Sequence, residues 1–266
     1  MADSRKKSEE KKEEEVKEGK QIDVIAFPGQ HMYVGGFSSC VINTAVAAEY
    51  FINMPTEDFF NLYGPGLSEK QKKQAYDSLG KIVEESNQIN IKYNHPAGHA
   101  VSNFFQRLMP KEFSEVLESA KLSGEFKNIS ELRIMAEEAK CHRDKLNDYC
   151  NEVFARFEKL GIQKNHLVFV SGAAFHEIAF FAKTRPSDGK TFYYIYDTAP
   201  DRRIRGDKNK GTLEIYDKFD TMLEALNKRW KVFYKHDQQA SIYAVTTETC
   251  VKNLEAQLKS TTQKSV

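Results

Sequence analysis

Between Gly36 and Pro55 the chain reads Phe-Ser-Ser-Cys and then an apolar run from Val41 to Met54, with no glycine or proline inside it. Val41, Ile42, Ala45, Val46, Phe51 and Ile52 leave few polar positions on any side of a helix drawn through it. A helix that is apolar nearly all round must lie in the middle of a domain, so this stretch sets the centre about which the rest has to pack. Ser38 or Ser39 is a suitable N-cap, and Gly35-Gly36 lets the chain enter through a tight turn. Cys40 then falls in the first helical turn. There the unpaired N–H groups and the positive end of the helix dipole favour a thiolate over a thiol. Buried cysteines also serve as plain packing, and that reading gives a non-enzymatic adaptor in which Cys40 is core.

The 266 residues are enough for one sizeable core with tails. Lys plus Arg (39) nearly balance Asp plus Glu (38), so no overall field points to nucleic acid or to an anionic membrane. No apolar run reaches roughly 18 residues and no signal-peptide pattern is present, so neither a transmembrane segment nor classical export is expected. Four cysteines in a chain of this size suggest a reducing, cytoplasmic setting. His95-Pro-Ala-Gly-His99 offers two imidazoles, but Pro96 and Gly98 prevent a helical pair of ligands. There is no glycine-rich phosphate loop. Neither a metal nor a cofactor is expected.

Along the chain, residues 1–20 form a mixed-charge run with little to bury and are expected to be a disordered tail. Gln21 to Phe27 has strand character and ends in Pro28-Gly29. From about Leu67 to Gly161 the reading is helical, with Ser68 and Gln71 as a capping pair. The longest helix is expected from Ser130 to Gly161, with Leu132, Met135, His142, Leu146, Val153 and Phe157 as one stripe. On that helix Cys141 and Cys150 would face opposite ways and could not bridge. Strands follow around Leu167–Val170, Ala174–Ala182, Phe192–Tyr196, Thr212–Tyr216 and Ser241–Thr246, with helices near Lys218–Lys228 and Glu248–Lys259. Helices first and antiparallel strands after them give an α+β class. The expected layout is a tail over 1–20, one catalytic domain over 21–250, and a C-terminal helix end and polar tail over 251–266.

Pro186 and Asp188-Gly189 mark a turn between two of those strands. A hairpin centred between Pro186 and Ser187 sets His176 directly opposite Asp197, on one face of the sheet. A slip of one residue would separate them. A helix-start cysteine, a strand histidine and an acid to orient it are the parts of a thiol nucleophile system.

In order and spacing, Cys40, His176 and Asp197 resemble the triad of the papain-like cysteine protease superfamily. The segments His-Glu-Ile-Ala-Phe-Phe and Tyr-Tyr-Ile-Tyr-Asp-Thr-Ala-Pro look like its His-strand, turn and Asp-strand. In style they are nearest to the divergent Asp-using members among bacterial effectors, of deamidase and YopT-like type. The resemblance implies a nucleophile-bearing central helix and a helical middle region packed on a C-terminal antiparallel sheet. It implies acyl transfer at an amide of a protein substrate: proteolysis, glutamine deamidation, or isopeptide cleavage of a ubiquitin-like protein. It also implies Gln30, ten residues ahead of Cys40, as the oxyanion residue, and a host protein met after secretion into a host cytosol. The basic loop Arg202-Arg-Ile-Arg-Gly-Asp-Lys-Asn-Lys210 lies at the edge of that cleft and suits an acidic protein surface.

Overall fold

The computed structural model describes residues 19–32, 39–94, 117, 127–173, 176–199, 210–233 and 239–263. Its strands are β1 (Gln21–Pro28), β2 (Leu132–His142), β3 (Val168–Ala173), β4 (His176–Thr184), β5 (Thr191–Asp197), β6 (Lys210–Tyr216) and β7 (Gln239–Thr247). They form one sheet in the order β1-β6-β5-β4-β3-β7-β2, and every neighbouring pair is antiparallel. The described helices are α1 (Cys40–Asn53), α2 (Thr56–Tyr63), α3 (Glu69–Asn94), the single turn α4 (Lys127–Ser130), α5 (Leu146–Lys159), α6 (Phe219–Phe233) and α7 (Glu248–Gln263). The class is α+β.

Alternation along the strands sends successive side chains to opposite faces, and both faces are covered. Phe181 on β4 and Tyr194 and Tyr196 on β5 join Phe51 of α1 and Phe59 of α2 in one core. Phe180 and Ile195 point the other way, into a second core with Phe154 and Phe157 of α5 and Met222, Leu226 and Trp230 of α6. The apolar run ends where the sequence reading ends it. Eleven of the fourteen residues of α1 are buried, because the helix is pressed between the sheet and α3. Ser39 holds the N-cap position without making a side-chain cap bond. Its oxygens accept instead from the Asn43 amide, Nδ2 lying 2.9 Å from both the carbonyl and Oγ. Ser68 and Gln71 do form the expected box, Ser68 N–H donating to Oε1 and Gln71 N–H to Oγ. No helix among the described residues is long and apolar enough to cross a membrane.

The expected long helix from Ser130 to Gly161 is not there. Leu132 to His142 is the edge strand β2 paired with β7, a short 3-10 turn follows, and the helix begins only at Leu146. Alanine, glutamate and methionine favour helix locally, but the open edge of β7 offers β2 a ladder of hydrogen bonds. His142 therefore ends a strand and is exposed rather than packed on a helix. Cys141 and Cys150 lie on different elements, both buried in the second core, and all four cysteines are free thiols. The sheet is also not purely C-terminal, since β1 comes from the start of the described chain and β2 from the middle region expected to be helical. At the chain ends, Lys20 N–H donates to Asp217 at 2.8 Å, and α7 runs through the expected boundary at residue 250.

Candidate active site

The β4–β5 hairpin closes on Arg185 and Lys190, whose backbones exchange a 2.8 Å hydrogen bond, while Gly189 at φ +69° makes the left-handed step. Its register pairs Ala179 with Tyr196 and Thr184 with Thr191, which places the centre between Ser187 and Asp188. The expected centre was one position earlier, so His176 stands two residues along from the position opposite Asp197. An even shift keeps both side chains on one face. Diagonal neighbours on a sheet are within reach of long side chains, and the imidazole spans the gap. His176 Nε2 lies 2.7 Å from Asp197 Oδ1.

The other ring nitrogen is left for Cys40. The α1 N-terminus is set beside the start of β4 by Thr44, whose hydroxyl donates to the Glu177 carbonyl, and the Cys40 thiol hydrogen-bonds the His176 ring. Burial acts against a thiolate here and is the largest single influence. It is outweighed by the His176 hydrogen bond and charge, together with the backbone N–H groups of Glu177 and Val41, so the thiol lies below its ordinary value. Burial likewise opposes an imidazolium, but the Asp197 charge and hydrogen bond, with Cys40 behind them, raise His176 to about 10. Burial would also keep Asp197 protonated. The His176 and Arg229 charges and the Ala199 N–H, 3.0 Å from Oδ1, hold it below the usual carboxylate range instead. The arrangement favours a thiolate beside an imidazolium, backed by a carboxylate.

Gln30 is buried in a short 3-10 turn after β1. Its backbone N–H donates to the Thr198 carbonyl at 3.1 Å, and its side-chain oxygen accepts the Thr198 hydroxyl at 2.8 Å. The structure thus brings Gln30 to the residue following Asp197. His95, His99 and the basic loop Arg202–Lys208 lie outside the described residues, and Lys210 opens β6. The other thiols contrast with Cys40. Burial, with Glu138 and Asp144 nearby, pushes Cys141 up to about 11, and burial beside Cys141 puts Cys150 well above the ordinary value.

Two residues of this site are absent from the sequence reading. Arg229, on α6, sends Nη1 to 3.8 Å from Asp197 Oδ2 and Nη2 to 2.6 Å from Glu214 Oε1. Glu214, on β6, also accepts the Tyr216 hydroxyl at 2.6 Å. A signal existed in each case. Arg229 continues the 4–3 spacing of Met222 and Leu226 on the apolar face of α6, and Glu214 interrupts the apolar run Gly211–Tyr216. No family model, curated protein or solved structure matches this chain.

Proposed function

We propose that the protein is a thiol-dependent enzyme acting on an amide of a protein substrate, with a fold arrangement of papain-like type. The observation that carries this is the run from a helix-start thiol, hydrogen-bonded to His176, to Asp197 against His176 Nε2. Burying three ionisable groups together costs several kcal/mol per ion before pairing, and packing alone gives no reason to keep them. Cys40 attacks the carbonyl carbon as thiolate. Backbone N–H groups at the start of α1, with Gln30, hold the oxyanion. The His176 imidazolium gives its proton to the departing nitrogen as the C–N bond breaks. Neutral His176 then takes a proton from water, whose oxygen displaces sulfur from the thioester. Proteolysis, glutamine deamidation and isopeptide cleavage all pass through this intermediate, and the proposal covers them as one class. A second reading, the adaptor with Cys40 as core, is favoured by the low exposure of Cys40 (5%) and His176 (8%).

A limiting amount of iodoacetamide at pH 6–6.5, read by peptide mass spectrometry, separates the two without a substrate. The enzyme reading expects Cys40 to be labelled ahead of Cys141, Cys150 and Cys250. Labelling of Cys40 no faster than the others, or only after denaturation, leaves the adaptor.

A further inference from the structure

Asp197 does not end the chain of charges. Its Oδ1 takes the His176 ring and the Ala199 N–H, while Oδ2 faces Arg229 at ion-pair distance, beyond hydrogen-bond reach. Arg229 is itself held from behind: Glu214 takes the other arm of the guanidinium at 2.6 Å and is in turn held by Tyr216, with the Thr212 hydroxyl 3.5 Å away. Arg229, Asp197 and Glu214 are almost wholly withdrawn from water. The three belong to different elements, α6, β5 and β6, so the guanidinium fork ties the acid of the triad to two parts of the scaffold.

The asymmetry of the fork suggests its role. Without Glu214 to hold its other arm, Arg229 could close on Asp197, and a direct Arg–carboxylate pair would compete with His176 for the same carboxylate. With Glu214 in place, Arg229 contributes a positive charge that keeps Asp197 ionised but leaves Oδ1 to the imidazole. We infer that Arg229 is a positioning residue for the Cys40–His176 pair, acting through Asp197, with Glu214 setting its distance. This rests on the thiol-enzyme reading for its purpose, though not for its measurement.

The test is the double variant Arg229→Gln/Glu214→Gln. It removes one buried charge of each sign and leaves no acid stranded, so the net charge around His176 is preserved and the remaining change is in how Asp197 is held. The titrating groups left facing the ring are Cys40 and Asp197, with Tyr216 behind. Two readouts are followed on the folded protein, checked by circular dichroism. One is the pH at which the His176 ring loses its proton, by NMR of labelled histidine. The other is the alkylation rate of Cys40 at pH 6.5. The inference expects the ring titration to fall from about 10 by one unit or more as the Asp197 hydrogen bond loosens, and Cys40 alkylation to slow about threefold or more as the ring shifts from the sulfur. An unchanged titration and rate would overturn it, leaving the Arg229–Glu214 pair as a tie between α6 and β6. Should the double variant not fold, Arg229→Lys keeps a buried cation but loses the fork. The same shifts are expected there, and their absence is equally decisive. A wild-type Cys40 without low-pH reactivity would instead sink the enzyme reading, while the histidine titration would still report on Arg229.

Discussion

His176 is the residue on which both of its neighbours depend, and the balance at Cys40 shows how. The largest influence on that thiol is burial, which raises it, and the His176 hydrogen bond and charge lead the influences that bring the net shift below the ordinary value. His176→Ala should therefore reverse the shift rather than cancel it. The thiol would move above about 8.5, leaving at most about 1% thiolate at pH 6.5. Iodoacetamide labelling of Cys40 at that pH should then fall to or below that of an exposed thiol. If it persists, the histidine is not what activates the sulfur. Asp197→Asn probes the other side of the ring. An amide removes the charge that raises His176 and can impose the wrong tautomer, so the His176 titration should drop well below about 10. Turnover of any substrate found should fall by orders of magnitude while the far-ultraviolet dichroism is kept. A wild-type rate in that variant would take Asp197 out of the chemistry.

At the scale of elements, the site depends on β1 reaching Thr198, because Gln30 follows directly from that strand. Phe27 of β1 pairs with Gly211 of β6 and stacks on Tyr196 of β5, with ring centroids 5.2 Å apart. A Cβ at residue 211 would overlap the Phe27 ring, which Tyr196 backs. Gly211→Ala should cost about 1–3 kcal/mol and lower the thermal midpoint by several degrees; an unchanged midpoint would mean that the ring has room to move. Such close approaches are not visible in sequence, where Gly211 is only a glycine ahead of an apolar run. What was legible were local regularities: the α1 run, the capping pair Ser68–Gln71, and the turn signals at Pro186 and Gly189. The hairpin argument placed His176 and Asp197 on one face with its centre one position early, and survived because the resulting shift is two residues. It would have failed for an odd shift. β2 was hidden because its composition is helical and its reason for being a strand is β7, about a hundred residues away in the chain. Arg229 and Glu214 were hidden for a related reason, since a charge on an apolar face announces a partner without naming it.

The whole molecule couples these local shifts to pH, and between pH 7 and 8.5 several of them oppose one another. Asp197, held low, has given up its proton in both states by then. His176, raised to about 10, carries a proton in the folded chain that it lacks in the unfolded chain. Alone, that would make stability fall as pH rises above about 6.5. Cys40, lowered, loses its proton before the unfolded thiol does, which alone would make stability rise. The two groups therefore pull the pH profile in opposite directions. Cys141 and Cys150 are raised, so they pull stability down as unfolded thiols ionise around pH 8.5. That leaves Lys183. Its ammonium is buried on β4, donating at 2.6 Å to the carbonyls of Phe51 and Asn165 and lying 5.3 Å from the centre of the Phe59 ring. Burial brings it down to about 7, with the Cys250 thiol opposing weakly. From pH 7 upward the folded chain sheds this proton while the unfolded chain holds it to about 10.4. At Lys183 the unfolded state binds more protons, so this group makes stability rise with pH. Its contribution should be about 1–2 kcal/mol by pH 8.5, at about 1.4 kcal/mol per unit for a full proton. Urea unfolding at pH 7, 7.5, 8 and 8.5 measures it directly. Lys183→Met should lose that rising contribution relative to the wild type. A pH profile with the same slope in Lys183→Met and wild type would show that Lys183 stays charged in the folded chain, held by its two carbonyls and the ring.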